Sequence, residues 1–171
     1  MDCKTNGLFW NTKLQAIKNK INNSIKTQLY TACVAALQVK LRSVQNQISD
    51  IQEALTSETK NSAGDKHETG RAMLQLEREK VGVQLMGLQK QQNTLTKINC
   101  THSSKTVCLG SVVYTSNHHY FIAISAGAIN VNNTLFYAIS PSTPMGKLLL
   151  GKEVGGRITF QGNTFTIQTI L

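Results

Sequence analysis

Acidic residues are scarce in this chain: nine Asp and Glu stand against 18 Lys and Arg, a formal net charge of +9 over 171 residues. Such a surplus points to an anionic partner, although solvated lysines are its commoner explanation. No interleaving of aromatic and basic residues is present, so direct base recognition is not supported. Long apolar runs are missing too. "FIAIS" and "LLLG" fall far below the ~20 residues of a membrane span. Met1-Asp2-Cys3-Lys4 is followed by no apolar leader segment, so the cytoplasm is the expected location and no membrane partner is expected. The cysteines, Cys3, Cys33, Cys100 and Cys108, include no C-x-x-C pair, which fits reduced thiols better than a disulfide framework. Cys100, His102, Cys108 and His118-His119 lack the short paired spacing of a zinc site. No nucleophile elbow or third orienting residue accompanies Cys108 and the two histidines. The sequence therefore gives no catalytic centre of the chain's own.

What is there is organised by period. Residues 1–24 are polar and basic, with a possible short helix from Thr12 to Asn22, and are expected to form a weakly ordered extension. From about residue 27 the apolar positions Leu37, Leu41, Val44, Ile48, Ile51 and Leu55 step by alternating fours and threes, extended backwards by Leu29 and Cys33. Leu74, Val81, Leu88 and Leu95 then recur every seventh residue. Two such heptad seams joined by a short turn predict an antiparallel coiled-coil hairpin over 27–98, its tip near 57–68. Each arm of about 30 residues would reach roughly 45 Å.

Beyond Asn99 the period falls to two. "TVCLGSVVYT", "HHYFIAIS", "TLFYAIS", "RITF" and "TFTIQTI" are short β-branched and aromatic runs separated by turn signals. Both prolines lie in "SPSTPMGKLLLGKEVGG", where Pro144 and the residues to Leu150 read as a short helix closed by Gly151. The expected fold class is α+β: a helical hairpin, then a small antiparallel β domain over 105–171 carrying one short helix.

Between the two heptad seams stands "AGDKHE", which puts Asp65 and Glu68 three residues apart on one helix face. Asp-x-x-Glu is a capping signature, in which Asp65 accepts from first-turn N–H groups and Glu68 reaches back. The same pair also offers the oxygen donors that Mg²⁺ prefers. Partial capping and metal binding can coexist, because a carboxylate has lone pairs to spare.

Over residues 27–171 the chain resembles the Gre family of bacterial transcript cleavage and elongation factors. "GDKHE" matches the family's Gly-Asp-x-x-Glu tip, and "SPSTPMGKLLLGKEVGGRITFQGNTFTIQTI" matches its Ser-Pro, Leu-Leu-Gly-Lys, Gly and strand pattern. The resemblance implies an FKBP-like C-terminal domain that docks on bacterial RNA polymerase while the hairpin enters the secondary channel. It implies that Asp65 and Glu68 assist cleavage of backtracked RNA in trans, sharing Mg²⁺ with the polymerase and binding no cofactor stably. The factor would be an accessory protein and not itself an enzyme, a monomer in indirect contact with nascent RNA, with Pro144 and Met145 as candidate docking residues. The tip departs from the family pattern after Glu68, where Thr69-Gly70-Arg71-Ala72 replaces the usual Asn, acidic and aromatic residues. Lys66 and Arg71 also offset the two acids over residues 62–71. One alternative is therefore a channel-binding regulator without cleavage activity. Another is an FKBP-like prolyl isomerase or binding module, which would need an aromatic-lined pocket. The aromatics of the β domain read more simply as core and cross-strand pairs.

Overall fold

The computed structural model describes the backbone of residues 5–60 and 65–171, with side chains at 20, 22, 24–57 and 68–171. The elements are α1 (Thr5–Lys60), α2 (Asp65–Leu95), β1 (Val112–Thr115), β2 (His119–Ile122), β3 (Gly127–Val131), β4 (Thr134–Ile139), α3 (Pro144–Leu149), β5 (Arg157–Phe160) and β6 (Asn163–Ile170). The α+β class expected from the sequence is observed.

Helix α1 runs unbroken from Thr5 to Lys60 and takes in the short helix expected from Thr12 to Asn22. With both prolines lying beyond residue 140, nothing in that stretch removes a helical hydrogen bond. The chain divides into two compact units, 1–33 with 97–171, and 34–96. On the second arm this division falls near the expected change of period. On the first it falls inside α1, at Cys33 and Val34.

Within the 34–96 unit the heptads explain the burial. Leu37, Val44 and Ile51 on α1 and Val81, Leu88 and Leu95 on α2 are buried, each set spaced by seven. Lys40, Ser43, Val44, Gln47, Gln84 and Leu88 line one groove between the two arms. An antiparallel pairing with Val44 and Leu88 in one groove would, at equal rise on both arms, put Ile51 opposite Val81 and Leu37 opposite Leu95. The opposite side of α2 carries a second apolar series, Met73, Leu76, Val83 and Met86, which is exposed.

In the other unit, six strands form one sheet in the order β3-β4-β2-β1-β6-β5. The expected antiparallel sheet is observed at four of its five pairings, and at the fifth β2 and β4 run parallel, with Tyr120 beside Tyr137. Strand β3, which the sequence reading did not include, is the cause. It pairs with β4 through a two-residue turn at Asn132 and Asn133, both at positive φ, 50° and 61°. That conformation belongs to the hairpin turns whose twist matches the strands. Phe136 and Ala138 of β4 are buried, whereas Gly127, Ala128 and Asn130 of β3 are exposed. The apolar strand therefore takes the inner place and the poorer one the edge. Gln161 and Gly162 turn β5 into β6 in the same left-handed way.

Buried Val113, Tyr120, Ile122, Leu149, Phe165 and Ile167 form a core against α3. That helix is built as its sequence predicts. Thr143 caps it, its hydroxyl accepting from the Gly146 N–H at 3.1 Å, and Pro144 fills the first turn. The helix gives way at Leu150, and Gly151 follows at φ +74°.

Candidate functional site

Asp65 is the first residue of α2 and Glu68 lies one turn on. The Asp65 side chain is outside the described residues, as are those of Lys66 and His67. Glu68 is exposed. The expected tip, 57–68, falls largely outside the described side chains, and the capping contacts weighed from the sequence lie there too. A helix N-terminus favours negative charge, so two carboxylates are at ease in this turn. They leave only acceptor oxygens for a partner. The 31 residues of α2 put Leu95 about 46 Å from this turn at 1.5 Å per residue.

Pro144 and Met145 open α3 in the other unit. Pro144 is exposed, while Met145 is half-buried and packs against the core. Among the remaining apolar residues of this helix, Leu149 is fully buried and Leu148 faces solvent.

Among the described residues no group of three or more His, Cys, Asp and Glu side chains is placed to hold a metal ion. Cys108 contacts Ser111, its Sγ 3.5 Å from the hydroxyl. The His119 ring instead packs on Tyr114 and Phe136, and the His118 ring meets Tyr137 edge-on at 5.3 Å.

Two features escaped the sequence reading. Lys26, counted there only among the basic residues of the N-terminal region, is 4% exposed and donates to the His102 carbonyl. Burial lowers its pKa, opposed by the nearby thiols of Cys108 and Cys100. Burial likewise raises the Cys100 thiol, with Lys26 pulling the other way. The signal was legible, for Lys26 stands three before Leu29 and seven before Cys33 on the buried stripe. The second feature is a cavity of about 310 Å³ in the β domain, lined by Tyr120, Tyr137, Phe160 and Phe165 among others. The sequence reads those aromatics most simply as core and cross-strand pairs, with an aromatic-lined pocket as the alternative. Phe121 and Phe136 do fill the core.

No family model matches the chain, and no curated protein is similar to it. A solved structure, that of the transcription factor Gfh1, is similar over 77% of this chain and 92% of its own, at 22% identity and a TM-score of 0.31. Among the described residues no helix is long and apolar enough to cross a membrane.

Proposed function

We propose that this chain is an RNA polymerase-binding transcription factor whose helical hairpin enters the secondary channel and whose Asp65 and Glu68 assist cleavage of backtracked transcripts. The observation that carries the reading is the position of Asp65 and Glu68 in the first turn of α2, where the second of two long helices begins. An arm of about 46 Å suits delivery of a charged pair into a deep channel. Resemblance of "GDKHE" and of the segment from Ser140 onward to the Gre pattern supports the same reading.

Two carboxylates fit Mg²⁺, a hard ion that takes oxygen ligands, usually only one or two of them from protein. When bound, such an ion would supply positive charge to activate a water and stabilise the leaving oxygen of a phosphodiester. Asp65 and Glu68 would hold it from one face of the helix, and the other ligands would come from the polymerase and its RNA. The chain itself supplies reach and placement, with no reaction of its own in the absence of the polymerase.

Lys66 and Arg71 beside the two acids favour a second reading, in which the hairpin occupies the channel without promoting cleavage. Asp65→Asn with Glu68→Gln separates the two. Asn still caps a helix and Gln completes a capping box, so fold and binding should survive. Mg²⁺-dependent shortening of RNA in a backtracked complex should be lost with the variant. A wild-type protein that binds polymerase but never shortens the RNA would leave occupation alone.

A further inference from the structure

We propose that a second copy of this chain packs antiparallel on the outer face of α2. Met73, Leu76 and Val83 are each 66% exposed there, and Met86 is 64% exposed. Single apolar residues on a surface are ordinary, but a series of them along one helix marks an interaction face. On α1, among the described residues, Val39 is the only large apolar side chain so exposed.

The occupant follows from the symmetry of the series. Residues 73–86 read "MLQLEREKVGVQLM", which gives Met-Leu-Gln-Leu from one end and Met-Leu-Gln-Val from the other. Met73 and Met86 stand equally far from the midpoint between Glu79 and Lys80, and so do Leu76 and Val83. A two-fold axis at that midpoint sets Leu76 level with Val83 of the second copy, and Val83 level with its Leu76. This is the self-complementarity that an isologous interface requires. The next layers combine Met73 with Met86, and Glu79 and Lys80 leave the crossing point without net charge.

Two further features of α2 fit the same axis. Glu68 and Lys90 are both exposed and project on one flank of the apolar series, about 40° apart at 100° per residue. The axis brings Glu68 within one residue of the level of Lys90 of the second copy, so opposite charges meet at both ends of the contact. Gly87 is exposed, and a Cβ there would meet nothing within 4 Å. Glycine weakens a helix interior, and the space around this one is open. Across the axis it stands level with Ala72 of the second copy, and two small residues let the helices approach. The dimer itself does not depend on the transcription reading. One consequence does: with Glu68 held against Lys90 of a second copy, the form that enters the channel would be the monomer.

The contact spans about 20 Å of helix from Met73 to Met86, less than a stable dimer needs. Sedimentation equilibrium of the full chain between about 5 and 500 µM should therefore show a monomer–dimer equilibrium with a Kd on the order of 100 µM. Leu76→Glu and Val83→Lys each place an unpaired charge in the interface and should each weaken it at least about tenfold. Both positions are exposed in the single chain, so the circular dichroism spectrum should not change. An equimolar mixture of the two variants should recover the dimer, because the introduced carboxylate then faces the introduced ammonium. Lys90→Glu should weaken association by about threefold, and Val39→Ser on α1 should leave it unchanged. A dimer indifferent to Leu76→Glu and Val83→Lys, or a mixture no tighter than either variant alone, would overturn the proposal. So would a chain that stays monomeric at the highest concentration, which would leave the face to a different protein. No polymerase enters these measurements, so their failure is distinct from failure of the transcription reading.

Discussion

A Cβ added at Gly146 would lie 2.2 Å from the Ser140 carbonyl oxygen and 2.9 Å from the Thr143 hydroxyl. The first contact is with backbone and cannot yield without moving the turn that starts α3. Gly146→Ala should therefore destabilise the β domain by about 1–3 kcal/mol, read from the urea midpoint of the full chain. Thr143→Ala removes the cap from the same turn and should cost about 1 kcal/mol. A Gly146→Ala protein as stable as wild type would mean that the Ser140–Gly146 approach is looser than described. Cys33 gives a pH prediction at the same scale. It is fully buried, and burial pushes its thiol from 9.0 up to about 12. The folded state thus holds this proton where the unfolded state has lost it, so the contribution is complete below pH 9 and declines as pH rises toward 12. Cys33→Ala should flatten, without abolishing, the fall in urea midpoint between pH 9 and 10, a window below Tyr114 and Tyr120 in which Cys100, also raised by burial, supplies part of the slope. An unchanged slope would show that Cys33 is not the group responsible.

At the scale of elements, α2 presents two apolar stripes with different fates. Leu88 is 8% exposed against the α1 seam, whereas Met86 is 64% exposed on the far side. Leu88→Ala should lower the stability of the helical unit by about 2 kcal/mol or more, and Met86→Ala should change it by less than about 0.5 kcal/mol. Helix melting followed by circular dichroism separates the two, and equal effects would misplace the seam. The buried stripe was legible because a strict seven-residue repeat leaves one reading. By contrast, the starts of elements were poorly legible. Strand β3, "GAINV", has few large apolar residues and reads as loop, although the "VNN" turn beside it requires a partner for β4. The parallel pairing of β2 with β4 follows from that missed strand. α3 was legible because its signals are local, Pro144 in the first turn and Gly151 past the end, whereas the Thr143 cap was not part of the sequence reading. The cavity was not legible, since alternation along a strand assigns Tyr120 and Tyr137 to a face but cannot say whether another element fills the space above it.

Across the whole molecule, two units divide the chain's chemistry. The helical unit holds most of the acids, seven of the nine lying between residues 31 and 100, while the sequence on either side is basic. The central claim is that the hairpin acts as a carrier of set length for Asp65 and Glu68. The register permits a direct test, because deleting 41–47 together with 85–91 removes one heptad from each arm. Leu37 stays opposite Leu95 and Ile51 opposite Val81, while α2 becomes shorter by about 10 Å. Polymerase binding and transcript cleavage should be measured side by side for this protein and the wild type. The account predicts that binding is retained within a few-fold while cleavage of backtracked RNA is lost. Equal cleavage by the shortened protein, or no binding of polymerase by the wild type, would contradict it.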